Sequence, residues 1–421
     1  MTQPANSARV WALLALVAWG LCPAMAQAQA AGGSGIKVGA GRLHPTFDFE
    51  ARLDTAVGYF PADPLNPTTV REEPSPEMLL HFRPGFQFEL PPVSRLSLKA
   101  LGNLDYVHYT GLLTSGSTAA SHLEGLADVA ARFNEDGHVS VELTDTFQRS
   151  DRSRSAAIAS GVLSLFNELR LGVAVRPGGG AVEVTPEVAW ALEYFQPTAA
   201  LIPVGCTEPT CDPAVVDQLD YTNLRAGVRG RWRFLPKTAV VVDVRVDNRQ
   251  SLGTGTGPDA LLLNTSAGIA GLVSPKIAAT AKLGWAQALG GVTGGTLVTQ
   301  LEGTYLLSAT STFKGGYVRT LEPVTAYGLF RDDRLYVEGQ LLLGGRLTLK
   351  GLGSMDFLTF EDPASPRNDT LARVDVGAEY PLQQWLAVGG GYLLGVRTSS
   401  SPGGGLNYTR HEGYVRVSVK Y

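Results

Sequence analysis

The sequence predicts an all-β protein, a transmembrane antiparallel up-and-down β-barrel of about eighteen strands, with sixteen as the alternative count. Three observations favour this fold class. Apolar and polar side chains alternate almost to the end of the chain, which is the two-residue period of a β-strand. Short and long connections mostly alternate between these segments, as they do in outer-membrane barrels. After residue 30, no apolar run is long enough for a membrane helix.

Residues 1–30 predict a signal peptide. A polar start carrying Arg9 precedes the apolar run "VWALLALVAWGLCPAMA" and the small-residue stretch "AQAQA". This order is typical of a secretory signal, and cleavage after Ala26, Ala28 or Ala30 fits it. A membrane anchor is the alternative, but the run is short for a span. Cys22 follows Leu21, where a lipoprotein signal needs a small residue, so it is expected to leave with the signal. Residues 31–421 are then the barrel.

The alternation is clearest in "EMLLHFRPGFQFEL", and it recurs in "LSLKALGNLDYVHY", "HVSVELTDTF" and "NLRAGVRGRWRF". It continues more weakly in "TLVTQLEGTYLL" and "RLTLKGLGSMDF". Such segments are long, as tilted membrane strands must be. Four tryptophans keep to the apolar parity, as interfacial girdles require: Trp190, Trp232, Trp285 and Trp385. A soluble β-sandwich is the alternative, but strand length, regular spacing and aromatic placement favour the barrel.

The connections give the strand count. Short breaks fall at 91–93, 134–137, 177–180, 235–237, 274–275 and 381–384. Longer breaks fall at 60–77, 110–120, 150–160, 196–218, 250–259, 322–333, 361–369 and 398–408. Counting back from the C-terminus places every short break on the periplasmic side, provided that 322–333 is one outer loop. Residues 309–345 contain few clear turns, which leaves sixteen strands as the alternative.

The C-terminal strand, "HEGYVRVSVKY", is expected to close the barrel onto the first strand near "TFDFEARLDTAVGYF". Closure is required because lipid cannot satisfy free backbone amides. The last strand also resembles the C-terminal assembly signal of bacterial outer-membrane barrels. The residues that carry this resemblance are Gly413, Val415, Val417, Val419 and Tyr421. It implies an integral outer-membrane protein that meets the barrel-assembly machinery and lies among outer-membrane lipid and lipopolysaccharide.

A ladder of charges is expected on the inner wall: Glu183, Glu187, Arg225, Arg229, Arg231, Arg233, Asp243 and Asp247. Hairpin pairing predicts four contacts, Glu183 with Arg233, Glu187 with Arg229, Asp243 with Arg229, and Asp247 with Arg225. One interpretation is a solvated wall whose charges pair and hold the register. The other is a basic stripe that guides an anionic solute, which the surplus arginines 231 and 233 favour.

The remaining sequence features are two cysteines, six histidines, several glycine clusters and the net charge. Cys206 and Cys211 are expected to form a disulfide, since an exported chain meets an oxidising compartment. A metal site is the alternative, but no histidine lies nearby. We predict no catalytic, cofactor-binding or metal site, because the histidines lack ligand spacing and the glycine clusters do not join a strand to a helix. The net charge of −4 gives no basic face for nucleic acid.

Only residues 31–45 precede the first predicted strand, so no plug domain is expected, and a bare barrel of this size encloses an aqueous channel. Length, strand number and glycine-rich style resemble the exopolysaccharide-export barrels of myxobacteria and their relatives. That resemblance rests on overall pattern, and it implies a periplasmic polysaccharide-export protein as partner. We expect a passive conduit for polysaccharide export, with a general diffusion porin as the alternative. Porins fold one loop inward, whereas the proline-rich 196–218 suggests a surface cap.

Overall fold

The structure is a computed structural model. It describes residues 35–57, 75–93, 95–114, 117–152, 154, 162–197, 219–253, 259–324, 328–361, 366–400 and 407–421. Within these ranges, the only helical segments are two single 3-10 turns, Ser117–Ala120 and Pro177–Gly180. None of the described residues belongs to a helix that is long and apolar enough to cross a membrane.

The chain forms one short strand and eighteen long ones. The short strand, β1 (Ile36–Val38), folds back on the start of β2. The first nine long strands are β2 (Gly41–Val57), β3 (Ser75–Val93), β4 (Leu96–Tyr109), β5 (His122–Phe133), β6 (Val139–Ser150), β7 (Val162–Val175), β8 (Val182–Pro197), β9 (Tyr221–Leu235) and β10 (Thr238–Ser251). The other nine are β11 (Ala260–Ser274), β12 (Ile277–Gly290), β13 (Gly295–Ser308), β14 (Ser311–Val324), β15 (Gly328–Leu343), β16 (Leu347–Phe360), β17 (Arg367–Pro381), β18 (Leu386–Ser399) and β19 (Tyr408–Lys420).

The eighteen long strands close into an antiparallel barrel, which confirms the predicted fold class and strand count. Each strand pairs with its neighbours in the chain, and β19 pairs with β2 from Lys420–Thr46 to Glu412–Asp54. The terminal residue takes part in this seam, since the amide of Tyr421 donates to the Pro45 carbonyl at 3.1 Å. The predicted closure is therefore confirmed, although β2 begins at Gly41, before the predicted segment.

The connections lie at two ends of the barrel, which we call the turn end and the loop end. All six predicted short breaks correspond to connections at the turn end. Five overlap the observed connection, and the sixth, 91–93, falls in the last residues of β3, directly before it. Two more turns at that end, 309–310 and 344–346, were missed, as was 291–294 at the loop end. The first of these is Ala-Thr, which lacks the residues that usually mark turns.

The prediction of a long loop over 322–333 is wrong. Only residues 325–327 separate β14 from β15, and Pro323 is paired opposite Leu329 in their ladder. The segment looked like a loop because it is proline-containing and rich in charge. The charges are neutralised within the sheet, since Arg331 Nε lies 3.0 Å from Asp333 Oδ2.

The outer surface of the barrel is an apolar belt. Leu283 and Val337 are 58% and 57% exposed, and many other large apolar side chains of the same parity are similar. Burying each one would yield about 1.5–3 kcal/mol, which a protein in water would not forgo over such an area. Aromatic side chains gather near the turn end: Phe133, Trp232, Phe234, Tyr305, Tyr380, Trp385 and Tyr421. The belt fits a surrounding of lipid.

Candidate functional site

The lumen has two halves with opposite character. In the turn-end half, charged pairs stand in water: Arg132 Nε lies 2.7 Å from Glu142 Oε1, and both side chains are nearly half exposed. In the loop-end half, charged side chains are buried: Glu50, Asp54, Asp105, Glu193, Asp247, Asp332, Asp356, Arg367, Asp369, Arg397 and Glu412. Because side chains alternate between the two faces of each strand, all of these residues point into the lumen. The difference in burial between the halves therefore comes from the elements that cover them.

A network of buried ion pairs crosses the seam where β19 meets β2, and we call it the seam network. It contains Glu50, Arg52, Asp54, Arg83, Asp105, Arg152, Arg410 and Glu412, with His81 at its edge. Four carboxylates therefore meet four guanidinium groups. Asp54 and Glu412 are directly opposed across the seam, an arrangement that is unfavourable unless it is bridged. Arg410 bridges it, at 2.5 Å from Asp54 and 3.1 Å from Glu412.

The described residues that follow β6, Asp151, Arg152 and Arg154, lie within the lumen. Arg152 Nη2 lies 2.5 Å from Glu412 Oε2 on β19, although β2 to β5 separate β6 from β19 around the wall. Burial lowers the pKa of Arg152, but the Glu412 and Asp151 carboxylates together raise it above its usual value, so the guanidinium stays charged. Arg154 stacks over the ring of Phe166 at 3.8 Å. The sequence predicted 150–160 only as an outer loop, whereas Arg152 reaches inward to β19.

The last described residues of the β14–β15 hairpin also lean into the lumen. Its ladder with β13 ends at Thr299–Arg319, whereas the hairpin itself continues to Val324–Gly328. Arg249 on β10 donates to the Pro323 carbonyl at 2.5 Å, across the positions of three intervening strands. Leu321 and Leu329 of the hairpin are buried in an apolar cluster with two residues of the neighbouring wall, Leu262 and Ala286. Two elements thus narrow the same half of the lumen.

A cavity of about 700 Å³ lies between these elements and the wall formed by β13 to β19. Its volume is within the range of small-molecule sites. One side is acidic and is lined by Glu322, Asp332 and Asp356. The other side is basic and is lined by Arg152, Arg154, Arg397 and Arg410. Sequence reasoning missed these residues, although charges two residues apart at strand ends, such as Asp332 and Arg334, are a visible signal.

The predicted charge ladder lies on the other side of the lumen. Arg229 contacts both Asp243, at 3.0 Å, and Glu187, at 3.8 Å. Asp247 stands opposite Arg225 in the ladder. Its carboxylate, however, is 2.8 Å from Arg245, and Arg225 pairs with Glu168.

The predicted contact between Glu183 and Arg233 is not formed. Glu183 faces Arg231 across the ladder, and its carboxylate binds Arg176 at 2.7 Å. The structure assigns no acidic ion-pair partner to Arg231 or Arg233 among the residues that it describes. The surplus of arginine at the turn end that favoured an anionic solute therefore stays a prediction.

Two other predicted groups are placed as follows. Cys206 and Cys211 lie outside the described residues. The assembly-signal residues all lie on the last strand or directly after it, and Val415 and Tyr421 point away from the lumen. Their recognition by assembly machinery stays a prediction.

One cluster of candidate metal ligands was not anticipated. His122, Glu124 and Asp151 have ligand atoms within 4.8 Å of one another at the start of the inward loop. Its members already satisfy each other, since His122 Nε2 is 3.1 Å from Glu124 Oε1 and the Asp151 amide donates to that oxygen at 2.8 Å. Burial raises the pKa of Asp151, but the charges of Arg152, Arg410 and His122 lower it below its usual value. These cations also oppose a bound metal ion.

No protein-family model matches the chain, and no curated protein matches it in sequence. Solved structures with a similar fold include the siderophore receptor PirA from Pseudomonas aeruginosa, with 9% identity, a TM-score of 0.43, and coverage of 90% of this chain and 80% of the receptor. The FrpB iron transporter from Neisseria meningitidis gives 8% identity, a TM-score of 0.42, and coverage of 89% and 81%. Likeness at this level carries no argument about what this chain binds.

Proposed function

We propose that the chain is an integral outer-membrane barrel that acts as a narrow passive channel for small hydrophilic solutes. The observation that carries this proposal is Arg152, which follows β6 and reaches into the lumen to pair with Glu412 on β19. An inward loop that meets an oppositely charged wall sets the size and charge of what passes. The general diffusion porin, which the sequence placed second, is therefore the better-supported function.

The barrel's surfaces support the same assignment. The apolar belt and the aromatic side chains near the turn end suit outer-membrane lipid, with lipopolysaccharide around the loop end. Short turns face the periplasm and long loops face outward in such barrels. The constriction then lies near the cell exterior, above a hydrated periplasmic half whose charged pairs are exposed.

Polysaccharide export is the second candidate, and the hydrated turn-end half favours it. Partly exposed charges such as Arg416 and Glu379, 3.1 Å apart, line a vestibule that suits a hydrophilic polymer. Among the described residues, the narrowing is made by the start of the β6–β7 connection and the end of the β14–β15 hairpin, so their displacement would widen the passage without dismantling the wall. A periplasmic polysaccharide-export protein would dock at the turn end and drive that displacement.

Conductance of the purified protein in planar lipid bilayers tests the channel. We expect the wild type to conduct, and Arg152→Gln to conduct more, because it removes the charge that holds the loop to Glu412. Arg132→Gln is the matched control, since it breaks an exposed pair of similar length at the turn end. A wild type and an Arg152→Gln variant that both fail to conduct would refute the channel. Loss of surface polysaccharide from a deletion strain would then favour export.

A further inference from the structure

The geometry points to a recognition site for an organic cation, a solute carrying a primary ammonium group, on the acidic side of the lumen cavity. This inference rests on the proposed channel, because it names the class of solute that the constriction selects. The site itself is a property of the folded wall, however, and it can be tested by binding without any flow through the barrel.

Asp332 is the residue whose unsatisfied carboxylate oxygen indicates a ligand. It is only 6% exposed, and it lines the cavity. Its Oδ1 atom is buried and has no hydrogen-bond partner. Its other oxygen lies 3.5 Å from Arg334 Nη2, which is a loose contact. An unpaired carboxylate oxygen in a buried position is costly, so a donor that completes its coordination should bind there.

The charges around Asp332 specify the sign of the ligand. Arg334 is shared with Asp356, to which its Nε donates, so one guanidinium serves two buried carboxylates. Glu322 lines the same cavity and adds a further negative charge. The positive groups opposite have other partners: Arg152 pairs with Glu412, Arg410 with Asp54 and Arg397 with Asp369, and Arg154 stacks on Phe166. On the acidic side, three carboxylates, Glu322, Asp332 and Asp356, therefore share one guanidinium, that of Arg334.

An ammonium group fits this site better than a metal ion. Ca²⁺ and Mg²⁺ need a shell of oxygen ligands around the ion, and here a guanidinium lies between the two aspartates. An ammonium group donates three hydrogen bonds from one compact centre, so it can reach Asp332 and Glu322 without displacing Arg334. The cavity of about 700 Å³ also leaves room for a small organic body attached to that group.

The test measures binding of three four-carbon probes to the purified full-length protein in detergent by calorimetry. The probes are 1,4-diaminobutane, the neutral 1,4-butanediol and the anionic succinate. We expect the wild type to bind the diamine and neither of the other two. Asp332→Asn keeps the side-chain shape, removes the charge, and should weaken diamine binding by about tenfold or more. Glu379→Gln removes one lumen charge at the turn end, outside the cavity, and should leave the affinity unchanged.

Glu322→Gln provides a second variant, because this exposed side chain can be replaced without disturbing the buried pairs; we expect weaker diamine binding there too. Equal affinity in the wild type and both cavity variants, absence of diamine binding, or equal binding of butanediol would overturn the site. Conductance separates the two proposals. A wild type that conducts but does not bind diamine refutes the site alone, whereas diamine binding that depends on Asp332 without conductance supports the site and refutes the channel.

Discussion

Two ion pairs of nearly equal length show how the halves of the lumen differ. Arg152 and Glu412 are 2.5 Å apart in the loop-end half, and Arg132 and Glu142 are 2.7 Å apart in the turn-end half. The Glu412 side chain is 3% exposed and the Glu142 side chain is 47% exposed. Water reaches both partners of the second pair, whereas in the first pair it reaches only Arg152, whose side chain is 36% exposed. The exposed fraction of the carboxylate side chain, and not the contact distance, therefore identifies the charges that stabilise the constriction.

Removing Glu412 should have the largest effect. Glu412→Ala leaves Arg52, Arg152 and Arg410 without a shared carboxylate, so we expect unfolding to become easier by about 3–5 kcal/mol. Urea unfolding in lipid vesicles measures this change. Glu142→Ala is the control, with an expected change of about 0–1 kcal/mol. Similar losses in both variants would mean that the two halves do not differ in energy.

Truncation of Leu329 in the β14–β15 hairpin should come next. Leu329 is buried against Leu262 and Ala286, so Leu329→Ala leaves a cavity and should cost about 2–5 kcal/mol in the same assay. The hairpin tip should also loosen, and open-channel current should fluctuate more. Leu283→Ala on the lipid-facing surface is the control for the current, which it should leave steady. Quiet currents in both variants would show that the tip does not line the passage.

Salt should have a smaller effect, on the difference in stability cost between the two glutamate variants. The screening length falls from about 10 Å at 0.1 M salt to about 3 Å at 1 M, which weakens exposed pairs far more than buried ones. The stability cost of Glu142→Ala should vanish at 1 M, whereas that of Glu412→Ala should largely persist. If both costs fell in proportion, solvent would have to reach the seam network.

The smallest effect is expected from the cysteines. Cys206→Ser combined with Cys211→Ser should leave assembly and conductance unchanged, because closing a short loop stabilises only modestly. The disulfide itself should be formed, so thiol labelling of intact wild-type cells without reductant should fail. Labelling under those conditions would contradict the pairing, and loss of assembly would contradict the minor role.

The contacts of Arg229 and Glu183 show what the sequence could and could not predict. The two-residue turn at 236–237 fixes the register of β9 and β10, and Asp243 and Asp247 face their predicted partners Arg229 and Arg225. A long connection joins β8 to β9, so their register cannot be read from a turn, and the prediction was two residues out. Alternation predicted the strands and closure well because it is a local property.

The narrowing of the lumen could not be predicted in the same way. Arg152 meets a partner 260 residues away, and no local pattern encodes that distance. Asp332 was hidden for a different reason. It lies in the segment predicted to be an outer loop, where exposed charges are common. The structure places it in strand β15, and a buried carboxylate there is unusual.

The position of Glu412 on β19 has a consequence for the order of assembly. Arg152 can reach its partner only after the last strand is in place against β2. In a nascent barrel whose last strand has not yet paired with β2, this ion pair therefore cannot hold Arg152 in place. The Arg152–Glu412 ion pair forms only when the barrel is closed. A newly inserted molecule would therefore narrow its passage as the last step of its assembly.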